Sequence, residues 1–374
     1  MRDETVEYPI GDDPPKARLI YGVDVIQGLK LLKEASVDTV CTGPPYWGLR
    51  DYGRTGQIGL EQTPEEYVTK IVEVFREVRR VLKPNGTLWV NLGDSYAADR
   101  GGTHQPAETL AGGVSGYMED GSKINRDRYD GYNPSRNAKL AGLKHKDLVG
   151  IPWRVAFALQ ADGWYLRNDI IWAKPNPMPE SVQDRCTKSH EYIFLMAHPD
   201  SKGRYYYDAE AIREESSESS LKRSSLMRTG TSTKHEMTDA KEQRCVNMDH
   251  GPYGAGRNKR TIWDVTLVPY RGSHFAVFPP KLIEPMIKAG CPKGGVVLDV
   301  FSGSATTGMV ALELQRNYIG IDLNDDYLPL AKARLLGKSA PGPSSNEPNP
   351  ILDLFEEKEQ QMELPYLTLS PIEY

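Results

Sequence analysis

Between Gly295 and Asp322 the chain lays down a hydrophobic strand, a turn of small residues, a helix and a second strand that ends in an acid. Gly295-Val296-Val297-Leu298-Asp299-Val300-Phe301-Ser302-Gly303-Ser304-Ala305-Thr306-Thr307-Gly308 is a hydrophobic strand running into a small-residue turn, the helix spans Met309 to Leu314, and the second strand is Asn317-Tyr318-Ile319-Gly320-Ile321-Asp322. This stretch restricts the fold more than any other, because strand, crossover helix and strand form the repeating unit of a parallel sheet. Such sheets bind ligands where the carboxyl ends of their strands open. Small residues let the backbone approach a ligand, the first N–H groups of the helix face its carboxylate, and an acid at the next strand end suits ribose hydroxyls. Asp299, Phe301, Gly303, Ser304, Thr306 and Asp322 are therefore candidate ligand contacts.

A second signal lies far upstream. Val37-Asp38-Thr39-Val40-Cys41 is a short, mostly apolar strand, and Thr42-Gly43-Pro44-Pro45-Tyr46-Trp47-Gly48-Leu49-Arg50-Asp51-Tyr52-Gly53 follows at its carboxyl end. Two consecutive prolines fix φ and remove two N–H donors, so the segment presents carbonyl oxygens without competing donors. With Tyr46 beside them, these carbonyls make a cradle for a planar group that carries an exocyclic amine. Taken alone, the same residues also describe a proline-stiffened turn with packing aromatics.

Residues 1–17 are polar and proline-bearing, as in a loosely held arm. Arg18 to Asp24 is a strand ended by an acid, with a helix after it that Asp24 is placed to cap. Thr63-Pro64-Glu65-Glu66 starts a second helix, with apolar residues from Tyr67 to Leu82 at helical spacing, and Lys83 to Gly86 is expected as a turn before the strand Thr87 to Leu92. Residues 97–147, without sustained periodicity, form an inserted loop in position to contact a polyanion. A helix after Ile151 and strands over 164–172 and 190–196 follow, joined through the stiff link Ala173 to Pro179. Residues 199–262 are a second polar insertion, and 338–374 an acidic tail.

A chain of 374 residues holds one large α/β domain with insertions, or two domains. It contains no run of roughly 18 apolar residues and starts with a polar segment, so neither a membrane span nor a secretory signal is expected and the cytoplasm is the default location. The net charge of −5 conceals a basic region over 122–154, which suits phosphates, and the acidic tail. Four cysteines do not suggest a disulfide framework. Cys186 with His190 and Cys245 with His250 have spacings of the kind zinc ligands use, but they are not doubled knuckles, and no metal is assigned.

The stretch from Thr42 to Gly53 resembles the catalytic motif of DNA amino-methyltransferases, which methylate the exocyclic amine of cytosine or adenine. Family members carry Ser-Pro-Pro-Tyr or Asp/Asn-Pro-Pro-Tyr, often followed by Trp-Gly-Leu-Arg-Asp-Tyr, and this chain departs at Gly43, where the family side chain holds the target amine. The segment from Gly295 to Asp322 is similar to the family's S-adenosylmethionine site, with Ala305 where glycine is usual, a swap expected to be tolerated if the backbone there is not at positive φ. The resemblance implies a doubly wound, mostly parallel, seven-stranded Rossmann-like α/β sheet with helices on both faces and long inserted loops. It makes residues 18–96 and 148–198 the catalytic half, 263–337 the cofactor half, and 199–262 the region that reads DNA sequence. It also implies Gly43, Pro44, Pro45 and Tyr46 as catalytic, Asp24 and Phe278 as further S-adenosylmethionine contacts, and double-stranded DNA as partner, with room for a cognate restriction endonuclease. Thr42 and Trp47 around the motif favour N4-cytosine, with N6-adenine as the alternative. More remote alternatives are a DNA-binding protein with an impaired site and a nucleotide-dependent oxidoreductase, which assigns no role to Pro44-Pro45-Tyr46.

Overall fold

A computed structural model describes residues 1–7, 14–49, 51–97, 142–215, 256–267 and 278–337. Nine strands form one sheet: β1 (Arg2–Glu7), β2 (Lys16–Tyr21), β3 (Val37–Thr42), β4 (Leu82–Leu92), β5 (Tyr165–Ala173), β6 (His190–Ala197), β7 (Ile262–Asp264), β8 (Val296–Asp299) and β9 (Asn317–Asp322). Their order is β1-β2-β9-β8-β3-β4-β6-β5-β7. From β2 to β4 all neighbours are parallel, and β6 runs antiparallel to both β4 and β5.

Helices cover both faces. α1 (Val25–Lys30), α2 (Pro64–Val81) and α3 (Ile151–Ala161) bury Leu29, Phe75 and Val155 against Val40, Leu88 and Val90 of the sheet. α4 (Pro280–Gly290), α5 (Thr306–Glu313) and α6 (Leu328–Leu335) bury Ile283, Ala311 and Leu335 against Cys41, Trp89 and Val297, whose side chains point the other way along the same strands. α2 starts as its sequence predicts: Thr63 Oγ1 accepts from Glu66 N and the Glu66 carboxylate accepts from Thr63 N. No described helix is long and apolar enough to cross a membrane.

Three local expectations change. Residues 2–7 are not a loose arm but an edge strand, held by burial of Val6, by Asp3 on Arg18 and by Glu4 on Lys332. With the short β7 on the opposite edge, this strand takes the sheet from the expected seven to nine. Lys83 to Gly86 bulge within β4 instead of ending it, since Leu82 pairs with Val37 and Thr87 already with Thr39. Most of the loop at 97–147, of the insertion at 199–262 and the whole tail from 338, with Cys245 and His250, lie outside the described residues.

Candidate active site

At the end of β8, Asp299 is fully inside the protein and both carboxylate oxygens have donors. Oδ1 accepts from Thr42 Oγ1 at 2.7 Å and from Phe301 N at 3.1 Å, while Oδ2 accepts from Thr307 Oγ1 at 2.7 Å. Burial pushes this carboxyl above the usual range although the three donors pull it down. Thr42 is the residue before Gly43, so one side chain fastens the end of β3 to the turn that starts α5.

Beneath the turn runs a chain of hydroxyls. Tyr21 Oη donates its single proton to the Gly303 carbonyl at 2.9 Å, so Ser302 Oγ must donate to Tyr21 at 2.7 Å, and Tyr318 Oη must donate to Ser302 at 2.7 Å. Asp322, at the end of β9, accepts from Gly303 N at 2.7 Å and Asn324 N at 2.8 Å, one donor on each oxygen. Each oxygen keeps a lone pair, the chemistry that a ribose diol requires. Burial raises the Asp322 pKa to about 6 against the pull of these two N–H groups, and the Asp299 charge adds to the rise.

Ala305 sits at φ 58, ψ 41, so the condition under which it would replace glycine without strain is not met. The hydroxyls of Ser304 and Thr306 both accept from Arg334 Nη1 at 2.7 Å, which turns them toward α6. Asp24 is exposed and caps α1, accepting from Ile26 N and Gln27 N at 3.0 and 3.2 Å. Arg54, downstream of the Pro-Pro-Tyr motif, crosses to Asn324 and Asp326 in the loop after β9.

Beyond β3, Trp47 is buried with its Nε1 donating to the Glu61 carbonyl at 2.9 Å, and Tyr67 Oη donates to the Pro45 carbonyl at 2.9 Å. These two bonds clamp the loop behind Tyr46. The Tyr46 ring lies over Gly93, where a Cβ would come within 2.5 Å of Cε2. Its hydroxyl reaches Glu191 Oε2 at 2.6 Å and Asn91 Oδ1 at 2.9 Å, and Lys174 pairs with the other oxygen of Glu191. Burial, then the Glu191 charge, hold the Tyr46 phenol well above its ordinary pKa. Gly43 is packed the same way: a Cβ there would stand 2.3 Å from Phe278 Cζ.

The structure thus brings Gly43, Pro44, Pro45, Tyr46, Phe278, Asp299, Phe301, Gly303 and Asp322 to the carboxyl edge of neighbouring strands, while Ser304 and Thr306 bond away to α6 and Asp24 serves its helix. Thr307, Asn91, Lys174, Glu191 and Arg334 were not singled out from sequence. For Asn91 and Glu191 a signal exists only in part, since each lies beside a run of apolar strand residues in strands that carry other polar residues; for Arg334, one of two basic residues in the last turn of α6, none does. Among the described residues no cluster of His, Cys, Asp or Glu is arranged to hold a metal ion.

A family model for N6/N4 methyltransferases, described as DNA methylase, matches residues 37–333. The type II methyltransferase M.SmaI of Serratia marcescens is 44% identical over 320 residues, covering 85% of this chain and 90% of the relative. The type II methyltransferase M.Cfr9I of Citrobacter freundii is 41% identical over 324 residues, covering 85% and 88%. Among solved structures, the PvuII DNA methyltransferase (cytosine-N4-specific) has the same fold at a TM-score of 0.52 and 17% identity, covering 91% of this chain and 92% of that one.

Proposed function

We propose a function from the premise that the chain belongs to the N6/N4 DNA methylase family. It is a type II, S-adenosylmethionine-dependent DNA methyltransferase, and the exocyclic amine it methylates is N4 of cytosine in a base flipped out of the duplex. The single observation that carries the reading is the Asp299 carboxylate, which accepts from Thr42 on one oxygen and Thr307 on the other, so that the amine cradle and the donor turn share one site. Thr42 before the motif and Trp47 after it support cytosine over adenine.

S-adenosylmethionine supplies an electrophilic sulfonium methyl. Asp322, with lone pairs left beside its two N–H donors, would take the ribose hydroxyls, and Phe278 and Phe301 would lie against the rest of the cofactor. The carbonyls of Gly43 and Pro44 accept the protons of the target amine and favour its pyramidal, nucleophilic form as positive charge develops on nitrogen. Tyr46 stacks on the base. In-line attack of the amine lone pair would form the N–C bond as the C–S bond breaks, leaving the electron pair on sulfur in S-adenosylhomocysteine, and the methylated amine gives up one proton to solvent. No covalent nucleophile takes part.

Purified protein incubated with unmethylated DNA and labelled S-adenosylmethionine, followed by nucleoside digestion and mass spectrometry, tests both levels. A methyl on the cytidine exocyclic amine is expected. One on adenosine corrects the base alone, and none on any nucleoside removes the reading.

A further inference from the structure

The Tyr46 hydroxyl has one proton and two acceptors within reach, Glu191 Oε2 at 2.6 Å and Asn91 Oδ1 at 2.9 Å. The amide of Asn91 cannot simply be reversed, because its Nδ2 donates to the Tyr192 carbonyl at 3.0 Å. The shorter, charge-assisted bond takes the proton, so the phenol is tied to Glu191. Glu191 itself is not free to swing. Lys174 pairs with its other oxygen, both side chains are only 15% exposed, and the ammonium also lies 4.4 Å from the centre of the Trp172 ring.

An ion pair so shielded adds little to stability that packed apolar side chains would not supply. Its effect here is directional. One face of the Tyr46 ring packs on the Gly93 backbone, and at the far end of the ring the hydroxyl is held by Glu191 and Asn91. We propose that Glu191, locked by Lys174, is a positioning residue that fixes the plane of Tyr46 against the target base. This rests on the amine-methyltransferase reading above.

The test is a double-mutant cycle with Tyr46→Phe, Glu191→Met and the pair, in which kcat and KM for methyl transfer and the Kd for S-adenosylmethionine are measured. Each single change lowers kcat about tenfold while the cofactor Kd stays put, which also reports that the variants fold. The double variant is no slower than the worse single, because both changes break the same bond. Lys174→Met lowers kcat similarly, and Lys174→Arg retains most of it. Additive losses in the double variant, or a Tyr46→Phe protein as fast as the parent, overturn the proposal and leave the methyltransferase reading intact. A parent protein that methylates no DNA overturns both.

Discussion

The proposed donor end of the site is held by hydrogen bonds from hydroxyl and backbone N–H groups. Three hydroxyls in series end on the Gly303 carbonyl, two threonines close on Asp299, and backbone N–H groups satisfy Asp322. The base end is held by charge and by absent side chains: Lys174 on Glu191, Glu191 on Tyr46, and glycines at 43 and 93 under the two aromatic rings. A satisfied buried network makes a rigid socket, which suits a ligand of constant shape. On the proposed reading the base end takes a nucleobase drawn from a stack, and there two aromatic rings pack directly on glycine backbone while an ion pair stands behind the phenol.

Asp299 belongs to both ends, so Asp299→Ala should produce the largest effect. The change leaves the hydroxyls of Thr42 and Thr307 buried without their acceptor and is expected to cost about 3 kcal/mol in urea unfolding, with loss of cofactor binding. Retained cofactor affinity in a destabilised protein would show that the ends are not joined through this carboxylate.

Gly43→Ser sharpens the contrast, because it restores the side chain common in the family yet meets Phe278. Overpacking of about 2 kcal/mol and a kcat reduced about tenfold are expected, with partial recovery on adding Phe278→Leu. A faster Gly43→Ser enzyme would mean that the ring yields freely.

Confined to the donor end, Asp322→Asn should weaken S-adenosylmethionine binding about tenfold in calorimetry and leave the DNA KM unchanged. The pH response of the parent has two opposite signs. Ribose hydroxyls prefer the carboxylate, so cofactor affinity falls as pH drops through about 6. The folded apo protein binds this proton more tightly than the unfolded chain does, so the group's contribution to stability is present at low pH and lost as pH rises through about 6. A flat affinity profile from about pH 5 to about pH 8 would remove Asp322 from the ribose.

The smallest effect is Ala305→Gly. Relief of about 1 kcal/mol of left-handed strain, partly offset by the freedom glycine gains when unfolded, should raise Tm slightly without changing kcat.

These two ends also differ in how openly the sequence declares them. The donor end lies within Gly295 to Asp322, where strand, turn, helix and acid follow one another, and its topology is as expected. What escaped was inside the turn: periodicity does not carry φ, so the strain at Ala305 was invisible, and the capture of Ser304 and Thr306 by Arg334 depends on α6 packing. The base end is assembled from Tyr46, Asn91, Lys174 and Glu191, which only the β4-β6-β5 pairing brings together. Local pattern shows several polar residues in and beside these strands, but not that Asn91 and Glu191 meet at a phenol with Lys174 behind Glu191.

The strand order has a consequence for how the protein comes into being. β8 and β9 occupy the middle of the sheet, between β2 and β3, yet among the described strands they are the last to be synthesised. Until residues 296–322 leave the ribosome, β2 and β3 each expose an unpaired edge, and the bond between Thr42 and Asp299 closes a span of 257 residues. Such distant pairing makes folding slow and the nascent chain dependent on protection from aggregation. It also means that the donor and acceptor halves mature in one step, so an incomplete chain has neither a finished socket nor a finished cradle.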